Sequence, residues 1–364
     1  MEKLPALNNY AKRLRAFIDA SASQFAPPEN FNTLASDLLA LQRVFNPIYA
    51  RYCESLGVGS PRDWQDFAFL PTSSFKDFEV SVLAKEERTT VFRSSGTTQA
   101  NRSAHYHNEA SLELYEHSLL AWFRRHTLNG AVKDLKILSL SPPPKDVPES
   151  SLGHMFETVS LELPESHRLG YFAELGSDGG WKLNLPALQK TLNELSEFKV
   201  PVLLLGTAFS FVHLLDGIEP LQMAPGSRVM ETGGYKGRSR VISKEELHRS
   251  ISRLLGIPPA SIVTEYGMSE LSSQAYDRIC GEDSSPIASF RFPPWVRARI
   301  ISPESGNAVE DGEAGLLQVL DLANAYSAAA IQTEDVAVKT GESFQLLGRS
   351  ESAIPRGCSL MPAA

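Results

Sequence analysis

Four hydroxyls and a glycine crowd into five residues at Ser94-Ser95-Gly96-Thr97-Thr98, inside FRSSGTTQANRSAHYH. Hydroxyls and exposed backbone N–H groups are donors that a phosphate chain needs, and glycine lets the backbone come close to it. The spacing is not the GxxxxGK[ST] of a Walker A loop, and a polar turn is the competing reading. A second cluster is VTEYGMSELSSQAYD, where an apolar run enters Glu265-Tyr266-Gly267-Met268-Ser269-Glu270. In open parallel sheets ligands sit at the carboxyl ends of strands. There the Tyr266 ring could stack on a base. Glu270 could hold Mg²⁺, a hard cation that takes oxygen ligands and keeps phosphate oxygens in its shell. The plainer alternative is a strand end with a surface acid. In IQTEDVAV, Asp335 suits the two hydroxyls of a ribose; in LGRSES, Arg349 suits ribose oxygens or phosphate. A turn acid and a surface ion pair are the plainer readings of these two.

These residues need elements to hold them. NTLASDLLALQRVFNPIYARYCESLG has helical apolar spacing and stops at Gly57. NEASLELYEHSLLAWFRRH predicts an amphipathic helix with Asn108 as N-cap and Leu112, Tyr115, Leu119 and Trp122 on one stripe. Strands and helices then alternate. DLKILSLS, VPVLLLG, SRVMETGG and SIVTEYG read as strands, and ALQKTLNELSEF as a helix with Leu188, Leu192 and Leu195 inward. SKEELHRSISRLLGIP is a helix with a capping box at Ser243 and Glu246, stopped by Gly256 and Pro258. This rhythm predicts a mostly parallel sheet covered by helices. After about residue 290, WVRARIIS, GLLQVLDL, AAIQTEDVAV and SFQLLGRS read as short strands of an antiparallel β subdomain. The expected organisation is residues 1–290 as a helical segment plus α/β core, 291–349 as the β subdomain, and 350–364 as a tail.

A net charge of −8 argues against a general nucleic-acid binder, which would present a basic face, but leaves room for a small nucleotide site. The three cysteines, Cys53, Cys280 and Cys358, make no disulfide framework and no CxxC metal pair. Cys53 lies in a helical pattern and reads as core, and Cys280 in RICGED as more exposed. The first twenty residues lack the apolar core of a signal peptide, and no apolar run is long enough to cross a bilayer. A reducing cytoplasm, with no membrane insertion, is the expected compartment.

The order of the motifs adds to what each says alone. A hydroxyl-rich loop, Tyr-Gly-x-Ser-Glu, Thr-x-Asp and Gly-Arg-x-Glu follow one another, as in the adenylate-forming enzymes: acyl-CoA synthetases, luciferase-type enzymes and peptide-synthetase adenylation domains. Within them the chain most resembles the LuxE-like acyl-protein synthetases. ETGGYKGRSR, EYGMSELSSQAYD, PPWVRARI, IQTEDVAV and GRSESAIPRGCSL carry the resemblance, from about Pro71 to Leu360. Two features depart from the wider superfamily. Gln99 stands where the loop usually has glycine, and Arg102 rather than lysine follows it. Thr333-Glu334-Asp335 replaces Thr-Gly-Asp.

The resemblance implies a large α/β domain of the adenylate-forming type, with mixed and parallel sheets. It implies ATP with Mg²⁺, a fatty or aromatic carboxylic acid, an acyl-AMP intermediate and then a thioester. Carried onto this chain, Ser94–Thr98 hold phosphates, Glu270 binds Mg²⁺, and Tyr266 with Gly267 and Ser269 meets the nucleotide. Asp335 and Arg349 take the ribose, and Lys236 approaches the nucleotide or the carboxylate. His105 and His107 could contact phosphate, although histidines beside a strand are more often structural. Larger relatives continue past Gly-Arg-x-Asp into a lid domain of roughly a hundred residues; here fifteen residues follow Arg349, and the lid is expected to be absent. Cys358 is then the expected device for the second half-reaction, because a thiolate attacks a mixed anhydride and a neighbouring cation such as Arg356 favours the thiolate. Phe209, Phe211 and Val212 in LLLGTAFSFVHLLDG, with Leu215, would line or back the acyl pocket, ordinary core being the alternative. The acceptor would be a reductase or an acyl-carrier protein. A second reading has no ATP: Cys358 takes the acyl group from CoA or a phosphopantetheine thioester. A third is an inactive scaffold for a partner, against which Glu270, Asp335 and Arg349 count.

Overall fold

A computed structural model describes residues 2–59, 61, 63–94, 102–130, 134–176, 180–233, 242–282 and 289–349. The chain groups into two compact units: Met1–Trp122 with Met268–Ala275 and Ser289–Ala364, and Phe123–Gly267 with Tyr276–Ala288. One division, between residues 288 and 289, lies beside the 290 expected from sequence texture, and the residues after it group with the N-terminal segment.

The first unit begins with α1 (Lys3–Ala22), α2 (Phe31–Phe45) and α3 (Pro47–Ser55). The apolar spacing that reads as one run to Gly57 is two helices. The Asn46 side chain accepts from the backbone N–H of Ile48 (3.2 Å) and Tyr49 (3.1 Å), so it caps α3. Pro47 takes the first helical turn, where no backbone N–H is needed. Then come β1 (Leu70–Pro71), the short α4 (Ser74–Asp77), and the antiparallel pair β2 (Thr90–Arg93) and β3 (Ala104–His107). Helix α5 (Glu109–His126) starts as expected, with Asn108 Oδ1 accepting from Ser111 N–H at 3.0 Å. Tyr115, Leu119 and Trp122 of its stripe are buried, and Leu112 is half-buried.

The second unit holds β4 (Lys136–Ser139), α6 (Ser151–Leu161), β5 (Arg168–Tyr171), β6 (Ala173–Leu175), β7 (Trp181–Leu183), α7 (Leu185–Glu197), β8 (Val202–Thr207), α8 (Ala208–Gly217), β9 (Arg228–Thr232), α9 (Lys244–Leu255), β10 (Ile262–Tyr266) and β11 (Ala275–Tyr276). The main sheet runs β11-β10-β9-β8-β4-β5, with β10, β9, β8, β4 and β5 parallel to their neighbours. Leu188 and Leu192 of α7, Phe211 and Leu214 of α8, and Leu247 and Ile251 of α9 pack on Leu138, Leu204, Val229 and Ile262 of the strands. Strands covered on both faces lose the polar alternation, which is why VLLL reads as unbroken apolar sequence. Gly206 ends that run because a Cβ there would stand 3.0 Å from the Phe211 ring and 3.1 Å from Leu140. Ser243 caps α9 by accepting from Glu246 N–H at 3.1 Å, and Gly256 ends it in the left-handed region at φ 65°.

The first unit is completed by β12 (Val296–Ile301), β13 (Ala314–Asp321), β14 (Ala330–Thr340) and β15 (Ser343–Arg349), paired antiparallel in sequence order. The start of β14 also pairs in parallel with β1. The connection from Leu322 to Ala329 is buried throughout. The whole is a mixed α/β protein with parallel and antiparallel sheets. No helix among the described residues is long and apolar enough to cross a membrane.

Candidate active site

The hairpin of β2 and β3 carries the hydroxyl-rich loop. Ser94 and Ser103 clasp its base: Ser94 N–H donates to Ser103 O (3.2 Å), and Ser103 N–H donates to Ser94 Oγ (3.0 Å). Arg102 Nε adds a bond to Ser94 O at 2.6 Å. Ser95, Gly96, Thr97 and Thr98 lie outside the described residues, as do Gln99, Lys236 and Cys358.

Glu270 meets this loop base inside the first unit. Its residue is 6% exposed. Burial pushes its carboxyl above the usual range; the Ser103 hydroxyl beside it and the positive fields of Arg349 and Lys76 pull partly the other way. Ser103 Oγ makes no well-directed hydrogen bond there. Among the described residues no cation lies within ion-pair distance of the Glu270 carboxylate. A buried hard oxygen donor with no ion-paired cation among the described residues fits a magnesium ion. The described residues hold no cluster of three or more metal-ligating side chains. One such carboxylate can hold the ion together with substrate phosphates and water.

The backbone around Glu270 is tied down on both sides. His105 on β3 donates from Nδ1 to Ser269 O at 2.9 Å. That fixes its tautomer, because a carbonyl oxygen can only accept. Burial lowers the His105 pKa to about 4, with the Ser269 bond opposing, so the ring is neutral at neutral pH. His107 is buried at 3.1 Å from Ser111 Oγ. The expectation that these histidines are structural agrees with this placement. Lys76, on α4, lies 3.9 Å from Glu334 and contributes its field at Glu270.

Asp335 and Arg349 face each other because β14 and β15 pair residue 335 with residue 349. Arg349 Nε stands 3.4 Å from Asp335 Oδ1. Asp335 N–H donates to Thr333 Oγ1 (3.1 Å), which donates to Leu317 O (2.8 Å), so the threonine of Thr-Glu-Asp orients the aspartate strand. The strand pairing explains how two motifs separated in sequence reach one place.

In the second unit, β10 delivers Tyr266 at its carboxyl end, 8% exposed, with Gly267 exposed after it. Two acids sit at neighbouring strand ends. Glu231 on β9 is fully buried and takes Lys244 Nζ at 2.7 and 2.6 Å, Thr264 Oγ1 at 2.9 Å and His248 Nε2 at 3.2 Å. Burial opposes its charge, but Lys244 and His248 outweigh that and hold it down at about 2. Glu265, bonded by Thr232 Oγ1, has no ion-paired cation among the described residues; burial pushes it up to about 7. Phe211 and Val212 lie in the core under the sheet, while Phe209 is half-buried with its ring 4.5 Å from that of His213. Cys53 and Cys280 are both buried free thiols, so Cys280 is less exposed than RICGED suggests.

A family model described as "Acyl-protein synthetase, LuxE" matches residues 30–363. The chain belongs to this family. It is an enzyme of the ligase type, as the LuxE resemblance implied. A long-chain-fatty-acid–luciferin-component ligase of Vibrio harveyi is 21% identical over 330 residues, covering 86% of this chain and 82% of that protein. The fold is similar to that of a 2-hydroxyisobutyryl-CoA ligase in a postadenylation state with 2-HIB-AMP. The TM-score is 0.62 at 12% identity, over 87% of this chain and 67% of that one. ATP-bound MatB from Rhodopseudomonas palustris matches with a TM-score of 0.50 at 16% identity, and the LuxE-family chain spans 52% of its length. The adenylate-forming fold expected from the motifs is therefore the fold this LuxE-family chain has.

Proposed function

We propose that the chain activates a long-chain fatty acid with ATP, loads it on Cys358, and passes it to a partner protein. The acid's carboxylate oxygen attacks the α-phosphorus, the bond from that phosphorus to pyrophosphate breaks, and pyrophosphate leaves. The Cys358 thiolate then attacks the acyl carbon, the carbon–oxygen bond to AMP breaks, and AMP departs. The observation that carries this reading is the clasped base of the hydroxyl loop lying against the buried Glu270, in a chain of this family. Bound at Glu270, Mg²⁺ would supply charge neutralisation for the phosphates. The chain's own residues do the rest. Ser94 to Thr98 bind the β- and γ-phosphates. Gly267 and Ser269 approach the nucleotide and Tyr266 faces the adenine. Asp335 accepts from the ribose hydroxyls, with Arg349 beside it. Lys236 approaches the nucleotide or the carboxylate. Phe209 meets the acyl chain, backed by Phe211 and Val212. The acceptor is a reductase or a carrier protein.

Intact-protein mass spectrometry tests this. Wild type with ATP, Mg²⁺ and a long-chain fatty acid should gain the acyl mass, and Cys358→Ser should not. Mass gained from acyl-CoA without ATP would instead favour the ATP-independent transfer that Gln99 in the loop raises. No acyl mass from any donor would overturn both.

A further inference from the structure

We infer that Asp321, at the end of β13, and Asn324, on the buried connection from β13 to β14, are positioning residues that set the place of Glu270; this rests on the role proposed above for that carboxylate. The turn from Ser269 to Ser273 is short, and its own backbone supplies one bond, Leu271 N–H to Met268 O at 3.1 Å. His105 holds Ser269 O and Ser118 Oγ lies 2.8 Å from Ser273 Oγ, and further bonds come from the end of β13 and the connection after it. Asn324 Nδ2 donates to Glu270 O (2.7 Å) and to Ala328 O (2.9 Å), while its Oδ1 accepts from Ser272 Oγ (2.7 Å). Asp321 accepts from Ser272 N–H (2.9 Å), Ser273 Oγ (2.7 Å) and Ala323 N–H (3.0 Å). Both residues are at most 1% exposed.

The same connection is gripped from its other side by the N-terminal helices. Gln42 on α2 donates to Asn324 O (2.9 Å) and accepts from Ala329 N–H (3.0 Å). Asn46 donates to Ser327 O (3.1 Å), and Tyr10 on α1 donates to Leu322 O (3.3 Å). Backbone groups buried in a loop need partners in place of water. Here the polar side chains meet them, and the loop becomes a rigid wedge between α1–α2 and the Glu270 turn. The N-terminal helices thus have a function beyond packing: they brace the element that aims a metal-binding carboxylate. Supporting partners of metal ligands generally change affinity or activity by about 10–100-fold when removed.

Asn324→Asp keeps the shape and replaces the two Nδ2 donations. Three measurements decide. Hydrogen exchange of the 269–273 amides should quicken by about tenfold or more, selectively over β13. In fatty-acid-dependent ATP–pyrophosphate exchange, kcat should fall, and the Mg²⁺ concentration for half-maximal rate should rise, each by about tenfold. Leu192→Ala, a core truncation in α7 of the second unit, should lower the melting temperature while leaving the Mg²⁺ response unchanged. If Asn324→Asp does not fold, Ser272→Ala removes only the Ser272–Asn324 bond and should act in the same direction. Unchanged exchange in the turn overturns the brace whether or not wild type is active. Faster exchange with an unchanged Mg²⁺ response overturns the positioning of Glu270. A wild type without any pyrophosphate exchange refutes the proposed function instead, and the Mg²⁺ response is then read by calorimetry of MgATP binding to the two chains.

Discussion

Replacing Glu265 with glutamine should change how stability depends on pH, and by an amount the structure sets. Glu265 is buried at the end of β10, accepts from Thr232, and stands near the charged Glu231, with no ion-paired cation of its own among the described residues. Burial pushes it from the ordinary 4.5 up to about 7. A folded-state value above the ordinary one means that the folded chain keeps a proton which the unfolded chain releases between about pH 4.5 and 7. Stability therefore falls as pH rises through that window. At about 1.4 kcal/mol per tenfold change in proton affinity, the charge costs the fold about 3 kcal/mol above pH 7. Glutamine keeps an acceptor for Thr232 and never ionises. Urea denaturation from pH 4.5 to 8 should show Glu265→Gln gaining about 3 kcal/mol on wild type as pH rises. Glu231 does not blur this, because its depressed value places its own effect below pH 4.5, where its stabilisation is lost toward about 2. Parallel pH curves for the two proteins would refute the reasoning.

Two further outcomes follow from the same charges. Lys244→Met leaves Glu231 buried without its lysine and should destabilise by about 3 kcal/mol, the low end for a broken buried pair because Lys244 is partly exposed; Lys244→Met with Glu231→Gln should recover most of that loss in the same denaturation assay. Asp335→Ala removes an ion pair whose arginine side chain is 74% exposed, so the melting temperature should scarcely move, while KM for ATP rises by about tenfold as ribose contacts are lost.

Much of this was legible locally. Asn108 and Ser243 cap their helices as their neighbours predict, and the apolar runs VLLL and SIVTEY became parallel strands for the reason that makes them unbroken. The break at Asn46-Pro47 was also written in the sequence, but helical spacing on both sides masked it. What periodicity does not reveal are bonds between distant polar residues. Asp321 lies 49 residues from Ser272, and Asn324, in the buried stretch LANAYSAA, lies 54 residues from the Glu270 carbonyl it meets. Lys76 and Ser103 near Glu270 follow from how β1, α4 and β3 assemble, which no local pattern states. The short Gly341-Glu342 turn alone would set Asp335 opposite Gly348; an irregularity between Val336 and Ala337 shifts the register by one and brings Arg349 there, which no local pattern states.

The most direct measurement of the central claim is ATP–pyrophosphate exchange driven by long-chain fatty acids, in wild type and in Glu270→Gln. Wild type should exchange only with both Mg²⁺ and a fatty acid present. Glu270→Gln should lose about a hundredfold or more of that rate without losing stability, because the buried carboxylate it replaces is held there against the cost of burial. No exchange by wild type with any chain length, or full exchange by Glu270→Gln, would contradict the account.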